Sequence, residues 1–270
     1  MGTRTKASNA PGGVRFLRPR SQCGIPPVLA PSTTTGPRWF TLGVAACAAG
    51  LAAFFLICLR TWPPHEDETL ALLVGRDSLG GLLHTVHAER GGAPIHFLVA
   101  WVVAHLGGGL TALRLLSALF AVASIPVLAA LSARLAGRRV ALLATALASA
   151  SWLMLFHGVY GRMYSLFLCT SALSYLALLR ALDRGGRGAW AAWVAAMLAT
   201  VATHPYGALV LASQIAFVVV ARRERLREAA WAFGAVAVLG IPFWLTDLVL
   251  AGRFDAGVAG GSRLDVFEYV

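Results

Sequence analysis

Apolar residues fall in long runs along this chain, at 40–59, 110–131, 140–156, 163–182, 189–202, 206–220 and 231–250. A helix needs about 20 such residues to cross the hydrocarbon core, so each run predicts a membrane-crossing helix. A shorter run at 94–106 stops at His105 and Gly107-Gly108-Gly109. It is too short for a full span and reads as a helix that dips in without crossing. The longest polar stretch between runs is 60–93. Within it, 68–74 and 78–86 repeat leucine on one face, as in short amphipathic helices lying along a bilayer surface. Asp77 or Ser78 would cap the second of these, and Gly80-Gly81 would weaken it.

Composition agrees with the pattern. Of 270 residues, 58% are hydrophobic and only 13% charged, with mean hydropathy +0.70. A soluble domain carries about 25% charged residues, so the expected fold is an all-α polytopic membrane protein with about seven transmembrane helices. Cys23, Cys47, Cys58 and Cys169 show neither metal-ligand spacing nor a disulfide framework. No glycine loop of the phosphate-cradling kind is present, which removes a soluble nucleotide-dependent enzyme.

The net charge of +11 comes almost wholly from arginine, since Lys6 is the only lysine. The arginines cluster at alternate junctions: Arg134 with Arg138-Arg139, then Arg180, Arg184 and Arg187, then Arg222-Arg223, Arg225 and Arg227. That placement is a membrane-orientation signal and calls for no nucleic-acid partner. Residues 1–38 hold basic residues without one acidic residue, among many Pro, Gly, Ser and Thr. They are expected to be disordered on the cytoplasmic side. If 94–106 does not cross, every arginine cluster joins that side, giving seven crossings of a multi-pass cell-membrane protein. The seven histidines and the acidic residues of the first loop then gather at the outer face. The expected organisation is a cytoplasmic tail at 1–39, a membrane domain at 40–250 with an outer loop at 60–109, and an outer segment at 251–270.

Within that loop Glu66, Asp67 and Glu68 stand side by side just beyond the first apolar run. Adjacent carboxylates repel, so their crowding suits a bound cation or a catalytic proton transfer. A solvated acidic loop is the plain alternative. Arg162 lies at the outer start of a helix, where it can bind phosphate through paired hydrogen bonds or snorkel to lipid headgroups. Tyr164 suits phosphate bonding or the aromatic belt equally, and His204, before Pro205, suits a site or a structural turn.

Several ordered stretches resemble the dolichyl-phosphate-mannose/ArnT-like glycosyltransferases of the GT-C class. They are the Asp67-Glu68 pair, 112–120 with 134–139, Gly161-Arg162-Met163-Tyr164-Ser165-Leu166, and Thr203-His204-Pro205-Tyr206-Gly207. The resemblance covers about residues 40–250. It implies transfer of a sugar from a polyprenyl-phosphate donor to a glycan, lipid or protein acceptor at the outer face. Asp67 matches the family's catalytic base, and Glu68 would orient it or help hold a divalent cation, the one cofactor the resemblance raises. Arg162, Tyr164, His204 and His96 are the substrate-binding candidates. Gly91-Gly92-Ala93-Pro94 and Val159-Tyr160-Gly161 replace elements that carry cation ligands in many relatives. Glu89 or His96 would have to substitute, so no metal site is assigned. Relatives usually have well over ten crossings, which implies a fragment or a shortened form. The rival reading is a non-enzymatic membrane protein, such as a transporter. Transport would place ionisable groups near the bilayer midplane, where this sequence holds almost none.

Overall fold

The computed structural model describes residues 38–256, which fold into twelve α-helices with no strand among the described residues. In chain order they are α1 (Arg38–Cys58), α2 (Glu66–Gly75), α3 (Leu79–His84) running into a π-helical turn (Thr85–Arg90), α4 (Pro94–His105) and α5 (Leu110–Ala136). There follow α6 (Arg138–Ser149), α7 (Trp152–Val159), α8 (Tyr164–Arg184), α9 (Arg187–Thr203), α10 (Gly207–Ala221), α11 (Leu226–Leu239) and α12 (Ile241–Ala256). The expected disordered tail, apart from its last two residues, and everything after 256 lie outside the described residues.

Three helices, α1, α5 and α8, are long and apolar enough to cross a membrane, and the number rises to five if two bent pairs each count as one span. The expectation of about seven crossings takes each apolar run as one helix, and two of those runs are bent pairs in the structure. The run at 140–156 is broken between α6 and α7 by a 52° bend, where Ser151 accepts a hydrogen bond from the Met154 N–H and starts a new helix. The run at 231–250 is broken by 58° between α11 and α12, where Gly240 is followed two residues later by Pro242. Proline has no N–H to continue the ladder, so it belongs in a first helical turn. The remaining helices α9 and α10 have 17 and 15 residues. Both run beside α8 from one of its ends to the other: α9 leaves the loop after Arg184 and ends at His204 beside Tyr164, and α10 returns toward Arg222, which pairs with Asp183. Leu56 and Ile57 on α1, Leu147 on α6 and Leu248 on α12 are exposed, as a surface in lipid requires.

The bundle therefore has two chemically different ends. At one, Asp183 accepts from Arg134 (2.8 Å) and faces Arg222 (3.5 Å), tying α5, α8 and α10 together. At the other lie the ends of α1, α7 and α9 and the starts of α2, α5, α8 and α10. In the interior, Gln214 links three helices by accepting from Trp193 Nε1 (2.7 Å) and donating to Ser174 Oγ (2.8 Å).

The acidic stretch opens α2. The His65 ring accepts from the Asp67 N–H, and Glu68 accepts from the His65 N–H, a reciprocal cap. Carboxylates in a first turn also face the positive end of the helix dipole. The crowding thus has a local cause, and successive side chains leave the axis about 100° apart. Three neighbours in sequence have three different surroundings.

The twelve residues of α4 make a rod of about 18 Å at 1.5 Å per residue, against about 30 Å of hydrocarbon. Its start is pinned to α12, the Gly92 N–H donating to the Thr246 carbonyl (3.0 Å). At Gly75, α2 meets α4 so closely that a Cβ would sit 2.8 Å from the Ala100 carbonyl, which only glycine permits. From α4 the chain turns through three glycines into α5, whose Leu113 packs against Gly161. Gly92 also lies against Pro205, at the α9–α10 turn, so both ends of α4 lie at the same end of the bundle.

Candidate active site

Glu68 and Arg114 form the fixed centre of that end. Glu68 is fully buried, and Arg114 almost so. Arg114 Nε donates to Glu68 Oε1 (2.9 Å) and Nη2 to Oε2 (2.7 Å), the paired geometry of a guanidinium on a carboxylate. Its remaining N–H groups reach the carbonyls of Leu59 (3.3 Å), Trp62 (2.8 Å) and Pro63 (2.8 Å). All five guanidinium donors are used. Glu68 also accepts from the Gly161 N–H (2.6 Å) and the His65 N–H (3.0 Å). One carboxylate and one arginine thereby hold the turn after α1, the first turn of α2, the start of α5 and the approach to Arg162. Burial alone would push the Glu68 carboxyl up, but Arg114 and the two backbone donors outweigh it and hold the group below its ordinary value.

Asp67, the neighbouring position, faces outward. Its side chain is 41% exposed, and Oδ2 lies 2.9 Å from Arg162 Nη2 and 3.5 Å from the His65 ring. The His65 Nδ1 also accepts from the Asp67 N–H (3.2 Å). Among the described residues, Arg162 is tethered at one terminal nitrogen only. Its guanidinium lies over the Tyr164 ring at 4.8 Å, and its buried Nε has no hydrogen-bond partner among the described residues.

Behind Arg162 stands an aromatic and imidazole cluster. Tyr164 stacks on His157 (4.3 Å between ring centres) and on His204 (5.6 Å). His204 accepts from the Tyr206 N–H at the α9–α10 turn (3.1 Å). Burial, then the charge of Arg162, lowers the His204 pKa, and the same two causes push buried His96 down to about 4. Both rings are therefore neutral near pH 7, able to give or take one hydrogen bond per nitrogen without adding charge.

Two cavities open at this end of the bundle, one onto this cluster and the other onto Asp67. A groove of about 640 Å³ runs between α7, α8 and α10, with Leu153, Phe167, Leu168 and Val210 along it and His157, Tyr164 and His204 also on its wall. A cleft of about 790 Å³ lies over the other face of α2, lined by Glu66, Asp67, Thr69, Leu73, Arg76 and Leu110.

Of the residues singled out from sequence, Asp67, Arg162, Tyr164, His204 and His96 converge on one locus, with Glu68 directly behind it. Glu66 is exposed at the edge of the cleft. Glu89 is apart from them, on the π-helical turn, with its carboxylate 3.6 Å from His84. Arg114 was missed as a functional position. A signal existed: an arginine at the fifth position of an apolar run must find a carboxylate or be lost from the membrane.

The donor set does not fit a protein-held divalent cation. The oxygens of Glu68 already accept four N–H bonds, Asp67 is paired with Arg162, and no cluster of three or more His, Cys, Asp or Glu among the described residues has metal-holding geometry.

Comparison with known families gives a match over more than half of the chain. The family model described as dolichyl-phosphate-mannose-protein mannosyltransferase matches residues 91–246. That range includes His96, Arg114, Arg162, Tyr164 and His204, while Asp67 and Glu68 precede it. No curated protein and no solved structure matches the chain.

Proposed function

The chain belongs to the dolichyl-phosphate-mannose-protein mannosyltransferase family, and from that premise we propose that it moves a sugar from a polyprenyl-phosphate donor to an acceptor hydroxyl or amine at the outer face of the cell membrane. The observation that carries this reading is the Asp67–Arg162 pair beside an apolar groove. The groove accommodates a hydrocarbon carrier and brings its phosphate to Arg162, Tyr164 and His204. Arg162 has donors to spare, since it gives Asp67 a single 2.9 Å contact and its Nε has no partner among the described residues. An arriving phosphate competes for that guanidinium and frees the Asp67 carboxylate.

The step is a displacement at the anomeric carbon. Asp67 takes the proton of an acceptor entering through the α2 cleft, and the acceptor oxygen or nitrogen forms the new bond to that carbon. The bond from that carbon to the phosphate oxygen breaks, and its electron pair leaves with the polyprenyl phosphate. Arg162 stabilises the charge that develops there, while the neutral His96 and His204 leave it undiminished. Glu68 does not touch substrate. It is a positioning residue, fixing the turn of helix that aims Asp67 and, through Gly161, the approach to Arg162.

Arg162→Lys tests the phosphate assignment. Lysine keeps the charge and loses the planar fork, so the donor KM should rise about tenfold with a smaller change in kcat. The assay is transfer from a radiolabelled polyprenyl-phosphate sugar by the purified chain. An unchanged donor KM would remove Arg162 from the donor site.

A further inference from the structure

The arginine end of the bundle holds a cleft that the transfer reaction does not use. It has a volume of about 690 Å³ and lies between the α8–α9 loop and the start of α11. Arg184, Arg187 and Arg225 line it with one acidic residue, Glu228. Arg225 Nη1 donates to Glu228 (2.9 Å), and Trp190 Nε1 donates to the same carboxylate (3.3 Å). That pairing accounts for one positive charge. Arg184 and Arg187 remain, both exposed, on either side of Gly185-Gly186.

The rest of the lining is apolar. Ala191 and Val194 on α9 and Ala232 on α11 form the wall, and Trp231, 81% exposed, stands at its side. The cleft lies at the end where Asp183 gathers Arg134 and Arg222, so a charged lip continues into a hydrocarbon-facing wall. An exposed Trp beside arginines is the composition of a membrane–water interface.

We propose that this cleft binds an anionic phospholipid, the phosphodiester between Arg184 and Arg187 and an acyl chain along Val194 beside Trp231. Guanidinium groups pair with phosphate oxygens, and basic pockets between membrane helices take acidic headgroups. A zwitterionic lipid brings its own ammonium and gains little from the same arginines. A free phosphate leaves the apolar wall uncovered. Because α8 and α9 also carry Tyr164 and His204 at their far ends, a lipid clamping their connecting loop bears on helices that build the catalytic end. The proposal itself stands whether or not the chain transfers sugar.

The test is native mass spectrometry of the purified full chain, titrated separately with phosphatidylglycerol, phosphatidylcholine of the same acyl composition, and inorganic phosphate. Phosphatidylglycerol is expected to bind at least about tenfold more tightly than phosphatidylcholine. Arg184→Ala with Arg187→Ala should weaken it about thirtyfold, while Arg138→Ala with Arg139→Ala, at the same end of the bundle, should leave it within about threefold. Equal loss in both double variants, no loss in the first, or inorganic phosphate binding as tightly as the lipid would each overturn the assignment. Should the first double variant fail to fold, Trp231→Phe supplies a second readout. Quenching of tryptophan emission by brominated phosphatidylglycerol should fall in that variant, and unchanged quenching would place the lipid elsewhere.

Discussion

Asp67→Asn is expected to reduce sugar transfer by about 10²–10⁴-fold, the usual worth of a general base, while the protein stays folded in the membrane. The expectation of a selective loss comes from position. The side chain is 41% exposed, and its polar contacts are Arg162 and the His65 ring. Asparagine keeps the shape and a hydrogen-bonding oxygen but cannot accept the acceptor's proton. Glu68 and its cap on the His65 N–H are untouched, so α2 should form as before. The signature is a fall in kcat with little change in donor KM, measured with labelled polyprenyl-phosphate sugar and checked against an unchanged melting temperature in detergent. Wild-type turnover would remove Asp67 as the base.

Glu68→Gln, one residue further on, should act on the fold itself. The buried pair with Arg114 has its hydrogen bonds filled on both sides. Losing the carboxylate charge leaves a guanidinium with 3% of its side chain exposed and no counter-charge, at a cost of about 3–5 kcal/mol. That is a large part of the stability of a typical folded domain. The variant should therefore melt far below wild type and fail to hold the ends of α1, α2 and α5 together. Replacing both partners with apolar residues, Glu68→Leu with Arg114→Met, should recover part of the loss, because no lone charge remains. A Glu68→Gln protein melting at the wild-type temperature would show that the clamp does not bear the fold.

These two adjacent carboxylates show how far sequence reading reaches. Apolar run lengths marked α1, α5 and α8 as long enough to cross a membrane, whereas α4 and α10, with 12 and 15 residues, are both shorter apolar helices. Asp67, Arg162, Tyr164, His204 and His96 were also legible, because polar chemistry beside a membrane run stands out against its surroundings. The distinct fates of Glu66, Asp67 and Glu68 were not. They depend on a helix beginning at Glu66 and on partners 46 positions away, at Arg114, and 93 away, at Gly161. Hydropathy averages could not register the bends at Ser151 and Pro242 either, since single residues cap or break a helix without lowering a window's mean. Arg114 was hidden by the reverse problem. One charge in an apolar run looks like an interruption until its carboxylate is found across the fold.

The separation of the two ends of the bundle underlies the whole reading, because it puts carboxylate, guanidinium and imidazole groups on one face and the arginine clusters on the other. It is tested most directly by replacing the native cysteines with serine, placing single cysteines at Glu66 or at Arg138, and treating intact cells with a membrane-impermeant maleimide. The account predicts labelling at 66 and protection at 138 until the membrane is permeabilised. Labelling at 138 with protection at 66 would contradict it.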